Sequence, residues 1–221
     1  MINLKEALDR LPTTDKKVVI THSGGLDSST AVILAVEKYG PENVISIGFD
    51  YGQKQRVELK RASSLCSLLG VQRHVLDLEI LGDIAKPMCA NIAGSDVEMP
   101  TIKNILGNPQ PPTYVPNRNM IMFSLTAAFA EANGASHIIC GLQVHDEYSY
   151  WDTTQKFVDG MNNIHSQNRQ WPIELVAPFS DLSKTAELEL LRELDKVDLL
   201  EHSLTCYNPD TDGKSCAKCP S

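Results

Sequence analysis

Apolar positions along this chain alternate between two rhythms. Short β-branched runs read as buried strands: Lys17-Val-Val-Ile-Thr-His22, Val44 to Tyr51, Arg73 to Leu78, His137 to Leu142 and Ile173 to Ala177. Longer stretches with helical spacing lie between them. Ser28 to Lys38 is apolar and stops at Gly40, while Gln53 to Leu69 carries Leu59, Ala62, Cys66 and Leu69 on one stripe and ends at Gly70. Asn119 to Ala132 is closed by Asn133-Gly134, a later helix holds Phe157, Met161 and Ile164 in register, and the last runs from about Lys184 to Leu194 behind Ser183 as its cap. The rhythm fails between Ile80 and Pro116, where Pro87, Pro100, Pro109, Pro111, Pro112 and Pro116 leave no sustained period. A stretch that long is expected to be either disordered or a functional lid. Strands alternating with helices predict an α/β fold, a parallel sheet flanked by helices on both faces. One domain over residues 1–200 is expected, with 201–221 as a small appendage.

Composition narrows the function more than the fold. With 42% hydrophobic and 22% charged residues among 221, the chain can bury one ordinary core. Its net charge of -8 and the lack of any Lys/Arg cluster argue against a nucleic-acid partner, which needs a basic face. A small-molecule substrate is expected instead. The longest apolar run, Ala31 to Val36, is too short for a bilayer, and Met1 to Lys17 is polar and mixed in charge, unlike a signal peptide. These features predict a cytoplasmic protein with no membrane partner. In that compartment the six cysteines should be thiols or metal ligands.

The chemistry concentrates at Ser23-Gly24-Gly25-Leu26-Asp27-Ser28, where the first strand meets the first long helix. Glycines there admit positive φ angles and a close backbone approach. The helix N-terminus behind them offers unpaired N–H groups and partial positive charge, which suit a phosphate. Ser23, Ser28 and Ser29 can add hydroxyl donors. Asp27 repels phosphate, so it either orders the loop or helps hold Mg²⁺. A plain strand-turn-helix junction could use the same residue types, but the hexapeptide, its place after the first strand and the helix behind it agree. This segment resembles the SGGxDS signature of the PP-loop ATP pyrophosphatases. That resemblance implies cleavage of ATP between its α- and β-phosphates and an adenylated intermediate.

Four further segments occur together and in order: Phe49-Asp50-Tyr51-Gly52-Gln53, Val115-Pro116-Asn117-Arg118-Asn119, Asp146 to Asp152, and Leu204-Thr205-Cys206-Tyr207-Asn208 with Cys216 and Cys219. From about Lys17 onward the chain resembles the 7-cyano-7-deazaguanine synthase family. The resemblance implies conversion of 7-carboxy-7-deazaguanine and ammonia to the nitrile, with ATP, Mg²⁺ and Zn²⁺, in a homodimer. It implies that Arg118 and Lys184 neutralise phosphate charge. It further places Tyr51, Gln53, Arg118, Asn119, Asp146, Tyr150 and Asp152 around the substrate, where aromatic rings can stack on a purine-like base and a carboxylate can accept from its N–H groups. The chain departs from the family in two places. Gln53-Lys54-Gln55 stands where relatives have Gln-Arg-His, and Tyr150-Trp151-Asp152-Thr153-Thr154 where many have Tyr-Pro-Asp-Cys-Arg. An amide-forming or base-transferring variant, a PP-loop tRNA thiolase, and a non-catalytic nucleotide-binding module therefore stay open beside nitrile synthesis.

Cys206, Cys216 and Cys219 are spaced C-x9-C-x2-C. Relatives carry a fourth cysteine that completes a zinc site, so the resemblance implies a structural zinc-binding extension at the C-terminus. Cys66 and Cys140 fall on apolar faces and are expected to pack, and Cys89 has no assigned role. His22 beside the loop and His145 beside the base segment are expected to be structural more than proton-transferring.

Overall fold

The computed structural model describes residues 2–100, 108, 110–143 and 150–204. Strands β1 (Lys17–Thr21), β2 (Val44–Asp50), β3 (Gln72–Asp77), β4 (Ala135–Cys140) and β5 (Glu174–Val176) build one sheet in the order β3-β2-β1-β4-β5. Every pairing is parallel, with Val19 opposite Ile45 and Ile138, and Ser46 opposite Arg73. The inner strands β1 and β2 are near-continuously buried, because helices cover both faces, while the edge strands β3 and β5 keep exposed polar residues.

The two faces have separate cores. Val19, Ile45, Ile47, Phe49, Ile138 and Leu175 face α4 (Glu79–Ala85), α5 (Arg118–Ala132) and α6 (Gln155–His165), which contribute Leu81, Phe123 and Phe157. Val18, Ile20, Val44 and Ile139 face α1 (Leu4–Asp9), α2 (Leu26–Tyr39), α3 (Val57–Leu69) and α7 (Lys184–Glu193), which contribute Ala7, Val32, Cys66 and Leu190. The cysteines at 66, 89 and 140 are buried free thiols. Cys66 and Cys140 pack as expected, and Cys89 joins the first core.

Three expectations about elements are corrected. The helix after β2 begins at Val57 rather than Gln53, because the Gln53 side chain folds back to accept from Tyr51 N and donate to Phe49 O. The long aperiodic segment opens with α4, whose seven residues expose Ile80 and Ile84 while burying Leu81 and Ala85. Apolar side chains all round a helix under two turns long leave no period to detect. The polar start of the chain forms α1, closed by a reciprocal Asn3–Glu6 capping box. Within the aperiodic segment, residues 91–93 pack against the turn after β2: Lys54 N donates to Asn91 O, and Ala93 N to Gly52 O, both at 2.8 Å.

The chain leaves β1 for β2 on one side and later returns to β4 on the other. A crevice opens at the carboxyl ends of β1 and β4, where the direction of winding reverses.

Candidate active site

The Ser23–Ser28 loop sits at that crevice. Gly24 has φ of 103°, and a Cβ there would run into the backbone carbonyl of Glu58 at the start of α3. Only glycine fits a positive φ at such a contact. Gly25 caps α2 through its backbone alone, leaving no side chain over the helix N-terminus. The hydroxyls of Ser23 and Ser28 are 3.1 Å apart, and Ser28 also donates to Gly25 O at 3.1 Å. Gly141, just past β4, must also be small: a Cβ would come within 2.8 Å of Ser28 N. Leu204 N donates to Gly24 O at 2.9 Å, while Arg61 donates to the carbonyls of Glu201 and Ser203. Residues 201–204 are thereby held against the loop and α3.

A cleft of about 330 Å³ opens beside the loop, large enough for a small ligand. Ser23, Gly25, Asp27 and Ser28 line one end, and Arg118, Asn119 and Phe123 from α5 line another. Tyr51, Gln53 and Gln55 close it from the turn after β2. Gly24 and Leu26 hold the loop without facing the cleft.

Asp27 lines the cleft at the first turn of α2. Gln143 Nε2 bridges its carboxylate (3.3 Å) and that of Glu187 (3.0 Å). Glu187 is completely buried, and its Oε2 has no hydrogen-bond donor facing it. Burial, reinforced by the Asp27 charge, pushes its carboxyl up to about 8. At neutral pH it therefore keeps its proton beside the Asp27 carboxylate. Asp27 offers hard oxygen donors beside the Ser23–Ser28 loop, the ligand type a Mg²⁺ ion would take there. Among the described residues no group of three or more His, Cys, Asp or Glu is arranged to hold a metal.

Arg118 keeps its charge. Burial opposes it, but Tyr51, Asp152 and Tyr150 outweigh that cost and raise its pKa above the ordinary arginine value. Asp152 and Tyr150 do not line the cleft. Asp152 is buried and accepts from Asn119 N at 3.1 Å at the start of α5, and the Tyr150 hydroxyl is 2.8 Å from Thr113 Oγ1. Asp152 thereby positions the Arg118 end of α5. The Gln53 amide is consumed by the local turn. Lys184 begins α7, is exposed, and stands outside the cleft lining, within electrostatic reach of Glu187. Asp146, His145, Cys206, Cys216 and Cys219 lie outside the described residues.

Ser29 differs from expectation: it is fully buried, and its hydroxyl pairs with His22 Nε2 at 3.1 Å rather than facing a ligand. The other His22 nitrogen meets Ser46 Oγ at 3.2 Å. Burial, with Arg73 alongside, holds His22 well below its ordinary value, so it is a neutral structural histidine. Leu204, from the last of the ordered segments, lines the cleft, as do Phe123, Gly141 and Glu58, which the sequence did not mark. Of these, only Gly141 left a signal, a glycine directly after a buried strand.

Residues 17–221 match the family model described as queuosine biosynthesis protein QueC. The chain belongs to the QueC family. It is 31% identical over 206 residues to a 7-cyano-7-deazaguanine synthase of Clostridium acetobutylicum, covering 93% of this chain and 89% of that one. A synthase of the same description from Clostridium botulinum is 31% identical over 207 residues, covering 93% and 90%. Among solved structures, NMN synthetase from Francisella tularensis superposes with a TM-score of 0.55 at 17% identity, covering 96% of this QueC-family chain and 77% of that one. The U34-tRNA thiolase NcsA from Methanococcus maripaludis, with its [4Fe-4S] cluster, gives 0.53 at 15%, covering 87% and 63%. At those identities the likeness is one of fold. Among the described residues no helix is long and apolar enough to cross a membrane.

Proposed function

We propose that this QueC-family chain converts 7-carboxy-7-deazaguanine and ammonia to 7-cyano-7-deazaguanine, using ATP as the activating reagent. The substrate carboxylate attacks the α-phosphorus of ATP and expels pyrophosphate. Ammonia displaces AMP from the acyl-adenylate to give the amide. A second ATP activates the amide oxygen, and loss of AMP leaves the nitrile. No enzyme nucleophile is needed, because the substrate supplies its own oxygen. The protein's work is to position reactants and neutralise phosphate charge.

One arrangement supports the reading: the open N-terminus of α2 and the charged Arg118 face the same cleft at the reversal of sheet winding. The loop N–H groups with Ser23 and Ser28 take the phosphates, and Arg118 meets charge from the opposite wall. Lys184 adds a more screened charge from the exposed start of α7. Mg²⁺ bound by Asp27 would shield the phosphate oxygens. Tyr51, Phe49 and Phe123 offer aromatic surface for the base, with Asn119 beside Arg118. Zn²⁺ held by Cys206, Cys216 and Cys219 would tie down the tail that Leu204 brings to the loop. A homodimer and a cytoplasmic location complete the proposal.

Incubation with ATP, ammonium and the deazaguanine acid, followed by mass analysis, tests it. The nitrile, with AMP and pyrophosphate in step, is the expected product. Arrest at the amide would establish the shorter reaction. Turnover only in the presence of tRNA would overturn the small-molecule assignment.

A further inference from the structure

Arg73 carries a charge that no acidic group among the described residues balances. Its Nη1 donates to Ser46 Oγ at 2.7 Å and to His22 O at 3.2 Å, and its Nη2 to His22 O at 3.3 Å. Its Nε is buried with no acceptor. Every oxygen it holds is neutral, and among the described residues no carboxylate forms an ion pair with it. The neighbouring His22 is neutral, and burial keeps the Cys66 thiol protonated. A part-buried cation without a counter-charge is costly, and such charges are normally paired.

Its location suggests what the missing anion is. The His22 carbonyl that both Nη atoms grip precedes Ser23, the first residue of the phosphate loop. Gly48 forms part of the cleft wall, and a Cβ on it would come within 2.5 Å of Arg73 Nη2. The guanidinium thus lies directly under the cleft surface, one residue layer from whatever the loop holds. We propose that Arg73 is a charge-bearing positioning residue whose counter-anion is the polyphosphate of the bound nucleotide. It clamps the strand end that launches the loop and biases the cleft towards ligands with more phosphate charge. This rests on the reading that the loop grips phosphate. Lysine at this position would keep the charge but lose the two-pronged hold on His22 O.

The test is the binding of ATP, pyrophosphate and adenosine to the full-length protein by calorimetry. Wild type, Arg73→Lys and Arg73→Gln are compared at low and high salt. Arg73→Gln is expected to weaken ATP and pyrophosphate by roughly tenfold or more, the scale of one partly buried charge, and to leave adenosine within about twofold. Arg73→Lys should recover part of the loss, and the salt dependence of pyrophosphate binding should flatten in the Gln variant. Equal weakening of ATP and adenosine, or none, overturns the inference and leaves Arg73 as packing. Wild type that fails to prefer ATP over adenosine overturns the phosphate-loop reading itself. Should Arg73→Gln not fold, Gly48→Ala keeps the charge but pushes the guanidinium aside. The same selective loss is expected from it, and unchanged selectivity would refute the role.

Discussion

Replacing Glu187 by Gln tests the buried carboxyl behind the loop through stability and not through turnover. Glu187 is fully buried, shares the Gln143 amide with Asp27, and has its pKa raised from 4.5 to about 8, first by burial and then by the Asp27 charge. The sign follows from linkage. Below pH 4.5 the folded and unfolded chains both hold this proton, so the group costs nothing. Between 4.5 and about 8 the unfolded chain releases it while the folded one keeps it, so stability falls by about 1.4 kcal/mol per pH unit. Above pH 8 the full penalty stands, on the order of 5 kcal/mol. Glutamine keeps the shape, can accept from Gln143 and can donate to Asp27, but has no proton to lose. Urea unfolding of wild type and Glu187→Gln at pH 5, 7 and 9 reads the effect. The variant's advantage should grow by about 4 kcal/mol from pH 5 to pH 9, a midpoint difference of about 2 M urea. An advantage that stays flat across that range would show that Glu187 is not held protonated, and the account of the Asp27 pair would go with it.

Gly24→Ala places a side chain at φ of 103° and against the Glu58 carbonyl. It should cost about 1–3 kcal/mol of stability and, in equilibrium dialysis, abolish ATP binding. Arg118→Ala should lower kcat/KM roughly a hundredfold in a pyrophosphate-release assay. Lys184→Ala, removing an exposed charge outside the cleft, should cost less than about tenfold and be masked by salt. His22→Phe removes both ring contacts to Ser29 and Ser46. It should destabilise by about 1–3 kcal/mol in thermal unfolding and leave the pH profile of turnover unchanged, because a neutral histidine transfers no proton in the working range.

How much could be read from the residues alone follows from the range of the interactions involved. The strand–helix alternation was legible because parallel strands buried on both faces must be apolar throughout, and because helices between them repeat every few residues. The Ser23–Ser28 loop was legible for a similar reason, since a glycine-rich turn between strand and helix encodes its own backbone geometry. Elements under two turns long, α1 and α4, escaped because a period needs more residues than they have.

Contacts between distant parts of the chain depended on folding. Ser29 looked like a ligand donor from its place in the motif, yet His22, held from its other nitrogen by Ser46, takes its hydroxyl. Asp152 was read as a base reader from its place in the segment, yet it also accepts from the first turn of α5, and the Tyr150 hydroxyl meets Thr113. Glu187 and Gln143 gave no local sign of partnership with Asp27, because 44 residues separate them from each other and 116 separate Gln143 from Asp27. Local backbone chemistry is written in neighbouring residues, whereas a buried charge acquires its partner, its proton or its lack of either only once the strands close around it.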